Sequence, residues 1–195
     1  MEQSSEEAER WAAALAGSGE AFAWIFDLHR DRVYRHALRM LGNVHDAEDV
    51  TAGAFFELWR RRDAVTMVGK SVLPWLLVTT SNLSRNVARS LRRYRSLLRS
   101  LPRSEPSRGA GEVAEERLEV ASEEREVLRS LSAPDAALIT MTAFEGFSPS
   151  EVATALGISD GAARTRLHRA RARVASVLAS SVAEILTTGP EEGAR

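Results

Sequence analysis

The sequence contains no cysteine, which excludes disulfide bonds and metal sites built on thiolates. It also lacks any run approaching the roughly 20 apolar residues that a membrane-spanning helix needs. The opening stretch, MEQSSEEAER, is acidic and has no apolar segment behind a basic start, so we expect no signal peptide. These absences favour a cytoplasmic protein that does not insert into a membrane.

Strand-like alternation, internal repeats and low-complexity tracts are absent as well. Apolar residues instead recur at helical spacing, as Phe22, Ile25 and Val33 do on one face of a predicted helix. Ser18 is the expected N-cap of that helix, and the Gly42-Asn43 pair is expected to end it. Both halves of the chain show this kind of pattern. We therefore predict an all-α fold.

Proline and glycine are concentrated in one stretch, LPRSEPSRGAG, which has no apolar periodicity and is typical of a flexible linker. The linker divides the chain into two helical domains of ordinary size. The predicted organisation is an N-terminal domain, 1–100; a linker, 101–112; a C-terminal domain, 113–183; and a disordered tail, 184–195.

Charge is segregated along the chain although the net charge is only -1. Residues 66–110 carry nine basic side chains and one acid, and residues 111–160 carry eleven acids and three arginines. A further five arginines, with no acid among them, lie between Arg164 and Arg173. Two basic blocks separated by an acidic one indicate two surfaces that face polyanions.

The second basic block follows a strong signature for a helix-turn-helix. Ser148 and Glu151 form a capping box, and Pro149 suits the first helical position. Gly157 tolerates the left-handed conformation that ends a helix, and Ser159 is placed to cap the next one. A short helix, a glycine turn and a longer helix form the motif whose second helix commonly enters the major groove of DNA.

The predicted second helix has one apolar and one polar face. The apolar face, expected to pack on the domain core, carries Ala163, Leu167, Ala170, Val174 and Leu178. The polar face carries the residues that we expect to contact DNA: Arg164, Thr165, His168, Arg169 and Arg171. Arginine reads guanine with two hydrogen bonds or pairs with phosphate. The alternative for the arginines is a solvated face on a structural helix.

Four blocks, in order, resemble the small bacterial sigma factors of RNA polymerase known as the extracytoplasmic-function type. The blocks are HDAEDVTAGAFFELWRRR (45–62), PWLLVTTSNLSRNVARSLRR (74–93), EGFSPSEVATALGIS (145–159) and GAARTRLHRARARV (161–174). Together with the helices around them they cover most of residues 18–180. Four blocks in the family's order and spacing are more specific than the helix-turn-helix alone.

The resemblance implies a function for each half. The N-terminal domain, sigma region 2, binds core RNA polymerase and opens the −10 element of the promoter, and the C-terminal domain, region 4, binds the −35 element. By position, the contact surface for core polymerase includes Asp46, Glu48 and Asp49. Candidate contacts to the −10 element are Lys70, Ser71, Asn82, Arg85 and Arg89. The DNA-facing residues of the second helix are assigned to the −35 element.

The same resemblance defines the expected partners, which are core RNA polymerase and promoter DNA. Factors of this type are often held inactive by an anti-sigma protein that clamps both domains, which adds a third expected partner. We expect no cofactor, no metal and no small-molecule substrate, because the polymerase supplies the chemistry. Trp59 and Trp75 are candidates for stacking on unpaired bases. Their apolar neighbours at helical spacing favour core packing for both.

Two other functions remain open on the residues alone. One is a two-domain helix-turn-helix transcription regulator that acts without stoichiometric binding of polymerase. The other is an enzyme, for which His29, His36 and His45 are the best candidates. Their spacing matches no metal-binding signature, and the sequence has neither a phosphate-cradling glycine loop nor a nucleophile elbow. The expectation is therefore a protein without catalytic activity.

Overall fold

In the computed structural model of the chain, the described residues are 2–100, 127, 128 and 130–187. The predicted linker, 101–112, lies outside them. Within these ranges the chain forms seven α-helices, and a short 3-10 helix, Arg62–Ala64, follows the third. The helices are α1, Glu2–Leu15; α2, Gly19–Leu41; α3, Val44–Arg60; α4, Leu73–Ser100; α5, Ala133–Ala143; α6, Pro149–Leu156; and α7, Asp160–Thr187. The described part of the chain is therefore helical, as predicted.

Local capping fixes where the N-terminal helices begin and end. The Ser18 hydroxyl accepts a hydrogen bond from the Ala21 amide at 3.2 Å, which starts α2. Gly42, with φ 69°, ends that helix, and the Asn43 side chain accepts from the Asp46 amide at 3.0 Å to start α3. These contacts confirm the predicted boundaries of α2.

Helix α1 was not predicted from the sequence. Trp11 is 3% exposed and Ala14 is fully buried, and both belong to the same core as Ile25 of α2. The available signal was the stretch WAAALA, because alanine and leucine are the best helix formers. Helix α1 packs along α2 and so covers one side of the N-terminal domain.

The C-terminal domain contains the predicted helix-turn-helix. The Ser148 hydroxyl accepts from the Glu151 amide while the Glu151 carboxylate accepts from the Ser148 amide, a complete capping box at the start of α6. Gly157 ends α6 with φ 66°, a left-handed conformation that glycine adopts without a steric penalty. The Ser159 hydroxyl then accepts from the Ala162 amide at 3.3 Å at the start of α7. The motif is confirmed.

The two domains pack against each other, which the linker pattern did not predict. Helix α4 contacts both α5 and α6 as well as α2 and α3. Met40 of α2 joins a buried cluster with Leu131, Ala136 and Ala170 from the C-terminal half. Apolar side chains of both domains thus form continuous buried contacts. Helix α7 continues to Thr187, beyond the predicted domain end at 183, and 188–195 lies outside the described residues.

No helix within the described ranges has the length and apolar character needed to cross a membrane.

His36 is a buried polar residue of α2 with an unusual environment. Its Nε2 atom lies 2.8 Å from the Ser81 hydroxyl, which itself donates to the Leu77 carbonyl, so Nε2 carries the proton. The Nδ1 atom has no hydrogen-bond partner among the described residues. Burial, together with the positive charge of Arg39, lowers the pKa of His36 to about 3. The folded protein therefore holds this imidazole neutral.

We predict that His36 contributes to acid sensitivity. In the unfolded chain its pKa is near 6.5, so between pH 6.5 and 3 the unfolded state binds a proton that the folded state does not. Stability then falls with decreasing pH by up to about 1.4 kcal/mol per unit from this group. The free energy of unfolding, measured by urea denaturation at several pH values from 7.5 to 4, should change less with pH for His36→Gln than for wild type. His45→Gln, at a position whose side chain is 90% exposed, should retain the wild-type dependence on pH.

Candidate nucleic-acid interface

Helix α7 presents a buried face and an exposed face in the predicted register, except that Leu178, expected on the buried face, is 39% exposed. Ala163, Leu167 and Ala170 are at most 4% exposed, and they pack into the core. All five residues assigned to the −35 element lie on the solvent side: Arg164, Thr165, His168, Arg169 and Arg171. A helix held by one face, with cations and hydrogen-bonding groups on the other, has the form of a recognition helix.

Arg166, another arginine of α7, pairs with a residue of the neighbouring helix α5. Arg166 Nη1 lies 3.3 Å from the Asp135 carboxylate at the start of α5. Asp135 also accepts a hydrogen bond from Ser132, the N-cap of α5. Arg166 therefore ties α7 to α5.

The segment between the 3-10 helix and α4 forms a tight turn. The backbone amides and carbonyls of Val68 and Ser71 bond to each other at 2.9 and 3.1 Å. Both central residues have positive φ, 59° at Gly69 and 64° at Lys70, as a type I′ turn requires. Lys70 is exposed at the tip, and it is the single described non-glycine residue with positive φ. The turn presents the only lysine of the chain to solvent.

Ser71 and Arg85, both assigned to the −10 element, already have partners within the protein. The Ser71 hydroxyl donates to the buried carboxylate of Glu7 at 2.9 Å. The Arg85 guanidinium donates to the carbonyl oxygen of Leu131 in the C-terminal half. Asn82 and Arg89, on the same helix as Arg85, are exposed. Of the five residues assigned to the −10 element, Lys70, Asn82 and Arg89 are therefore the exposed ones.

Helix α3 carries the residues assigned to polymerase contact. Glu48 and Asp49 are exposed, whereas Asp46 is half-buried, and its backbone amide donates to the Asn43 cap. Phe56, which the sequence analysis did not single out, is 64% exposed on the same helix. It lies seven residues after Asp49 and therefore on the same face. Exposed aromatic side chains are frequent anchors of protein interfaces.

The tryptophans contact the protein core, as favoured above. Trp59 packs edge-on against Phe22 with ring centroids 5.0 Å apart, and Trp75 packs against the main core. No group of three histidine, aspartate or glutamate side chains in the described ranges is arranged to hold a metal ion.

Comparison with known proteins matches each half of the chain to part of one family. Sigma-70 region 2 matches residues 25–94, and sigma-70 region 4 matches residues 123–174. The chain is an ECF-type sigma factor of the sigma-70 family. It directs promoter-specific initiation of transcription with RNA polymerase, and it is not an enzyme.

Individual relatives agree with this assignment. The chain is 28% identical over 164 residues to the ECF RNA polymerase sigma factor SigL of Mycobacterium tuberculosis, covering 83% of this chain and 90% of SigL. It is 32% identical over 161 residues to the ECF sigma factor SigE of Mycolicibacterium smegmatis, covering 80% of this chain and 61% of SigE. The solved structure of CnrH, in complex with the cytosolic domain of CnrY, shares the fold with a TM-score of 0.61. That match has 23% identity and covers 90% of this chain and 98% of CnrH.

The family membership decides between the functions that the sequence left open. A regulator acting without polymerase would have no need of region 2, which occupies most of α2, α3 and α4 in this sigma factor. The histidines proposed for an enzyme have structural environments instead. His29 and His36 are buried and bonded within the N-terminal domain, and His45 is exposed beside Glu48.

We predict that Arg169→Ala lowers discrimination between a promoter and its −35 variants by about 1–3 kcal/mol, because a base-reading arginine loses its bonds to guanine. The measurement is competition between the two DNAs for the reconstituted holoenzyme. Arg166→Ala, on the same helix but facing Asp135, is the matched control and should leave discrimination unchanged. An equal loss of affinity on all sequences would instead make Arg169 a phosphate contact.

Proposed function

We propose that this sigma factor reads the −35 element with the exposed face of α7 and the −10 element with the Val68–Ser71 turn and α4, while docking on core polymerase through α3. The observation that carries this proposal is the division of α7, whose apolar face is buried while all five assigned contacts are exposed. Cytoplasmic location follows from the proposed partners.

Each surface suits its proposed contact chemically. On α7, the guanidinium groups of Arg164 and Arg169 suit guanine edges or phosphates. On α4, the Asn82 amide suits a base edge, and Arg89 suits the phosphate backbone nearby. On α3, Glu48 and Asp49 provide charge that steers association with a basic partner.

Phe56 extends the proposed polymerase contact beyond the acidic residues. With about two thirds of its surface exposed, it offers a large apolar area close to Asp49. An aromatic side chain surrounded by polar ones is the usual arrangement of an interface anchor. The proposed docking surface therefore combines an apolar anchor with an acidic rim.

Region 4 covers part of the proposed −10 surface in this structure. Arg85 donates to Leu131, and the Gly69 side of the turn shares a cavity with Phe147 and Glu151. Since these groups cannot contact region 4 and promoter DNA together, we propose that the two regions separate when the factor binds polymerase and DNA.

An ion-pair cluster holds region 4 against the N-terminal domain, an arrangement that we call closed. The Glu145 carboxylate lies 3.1 Å from Arg32 and 3.7 Å from Arg39, both on α2, and the Glu145 side chain is only 8% exposed. The Arg39 guanidinium also lies 4.1 Å from the centre of the Phe144 ring.

An anti-sigma protein is a further proposed partner, since the solved structure of RpoE from Bartonella quintana contains the anti-sigma factor NepR.

The test of the proposed function is reconstitution. Purified sigma factor is mixed with bacterial core RNA polymerase, and transcripts from genomic DNA are sequenced at their 5′ ends. We expect stoichiometric binding to core and start sites that share a two-part upstream sequence. Sequence-specific binding to DNA with no association with core polymerase would contradict the proposal.

We predict that Glu145→Gln loosens the closed arrangement, because the neutral amide retains the shape but loses the attraction to Arg32 and Arg39. The pairs are partly exposed, so the expected cost is about 1 kcal/mol, or roughly a fivefold rise in separated molecules. Since the chain has no cysteine, Glu20→Cys and Thr154→Cys give unique label sites for distance measurement between the regions. Asp27→Asn, an exposed change on α2, should leave the distances unchanged.

A further inference from the structure

We infer that Glu7 is a positioning residue for recognition of the −10 element, because its buried carboxylate fixes the turn that presents Lys70. The inference rests on the proposed role of the Val68–Ser71 turn. Glu7 belongs to α1 and precedes the segment that matches region 2, residues 25–94. The family match therefore assigns it no role.

A single oxygen of Glu7 joins three parts of the N-terminal domain. Oε1 accepts from the Val72 amide at 2.8 Å, from the Ser71 hydroxyl at 2.9 Å and from His29 Nε2 at 2.8 Å. The residue is 4% exposed, although glutamate is among the residues least often buried. Helix α1, helix α2 and the end of the turn are thus bonded to one atom.

The environment holds this carboxylate in its charged form. Burial alone would raise the pKa of Glu7, but the hydrogen bond and charge of His29 and the donors of Val72 and Ser71 more than offset it, and the pKa is lowered. The Val72 amide immediately precedes α4, where the positive end of the helix dipole favours an anion. The charged form therefore secures the start of α4.

The turn needs this support because its conformation is strained. Lys70 adopts a left-handed conformation, with φ 64°, that costs a non-glycine residue about 1 kcal/mol or more. Such a conformation persists where its surroundings determine it. Ser71 follows Lys70 directly, and its hydroxyl also accepts from the Leu73 amide at 3.1 Å. Glu7 therefore fixes the residue next to Lys70 to the first turn of α4.

The contacts of Glu7 orient the turn as well as stabilise the fold. Val68 and Val72 are already buried on either side of the turn, so apolar packing anchors its two ends. What the carboxylate adds is orientation: it fixes the direction in which Gly69 and Lys70 project. A functional group held on a strained turn by a buried hydrogen-bonded carboxylate is the arrangement expected of a preorganised contact.

The test uses full-length factor, core RNA polymerase and a promoter mapped with the wild-type protein. Opening is followed with 2-aminopurine placed in the −10 element, on that promoter and on one carrying a changed −10 base. Glu7→Gln keeps the size of the side chain and replaces charge-assisted bonds with weaker neutral ones. We expect discrimination between the two promoters to fall about tenfold, with core affinity and −35 discrimination unchanged. Glu9→Gln, exposed on the same helix, should behave as wild type.

Three further variants make the outcome decisive. Ser71→Ala removes one donor to Glu7 and should give the same selective loss. Because Ser71 also belongs to the proposed −10 surface, His29→Leu, which removes another donor to the same oxygen from α2, decides the question if Glu7→Gln does not fold. Lys70→Ala tests the turn itself. If −10 discrimination falls in Lys70→Ala but in neither Glu7→Gln nor Ser71→Ala, the inference about Glu7 is overturned while the proposed role of the turn stands. No loss in any of the three would also remove the proposed role of the turn. Equal losses in core affinity, −35 and −10 discrimination would show a merely structural residue.

Discussion

The burial of the first half of α4 is the constraint on which the rest of the structure depends. Leu73, Leu76 and Leu77 are at most 2% exposed, and the helix contacts α2 and α3 of region 2 and α5 and α6 of region 4. The same helix then continues into an exposed basic half. Because a helix is rigid over a few turns, the buried half fixes the direction in which Asn82 and Arg89 project. Helix α4 thereby joins core packing to the proposed contacts with the −10 element.

Polar contacts at the edge of this core involve residues that also have proposed roles in recognition. Arg85 bonds to Leu131, and Ser71 bonds to Glu7. The first contact crosses between the regions and would be lost on the proposed separation, whereas the second lies within the N-terminal domain and would persist. Ion pairs such as those of Glu145, which are partly open to water, contribute little each and are readily exchanged for other partners. The closed arrangement is therefore compatible with later opening on polymerase.

The features that could be predicted from the sequence depend on short-range interactions. The capping box of Ser148 and the cap of Ser18 involve residues three apart, so their sequence signature is complete within four residues. Glu7 could not be predicted in this way, because its partners lie 22, 64 and 65 residues further along the chain. Its neighbours Glu6 and Glu9 are exposed, and nothing in the local sequence distinguishes Glu7 from them. Phe56 was missed although its spacing from Asp49 places it on the polar face of α3, because the adjacent Phe55 satisfies the apolar pattern and only one of the two rings is buried.

The sequence by itself determined the helical class, the helix-turn-helix, the two faces of α7 and the resemblance to the sigma factor family. The first three follow from spacing and local hydrogen bonding, and the resemblance rests on four sequence blocks in the family's order. Only the tertiary structure decided that Arg166 bonds to Asp135, that Arg85 is held by region 4 and that one carboxylate supports the Lys70 turn. The physical reason is that an amphipathic pattern specifies that a face is buried or exposed, whereas its partner depends on how distant helices pack.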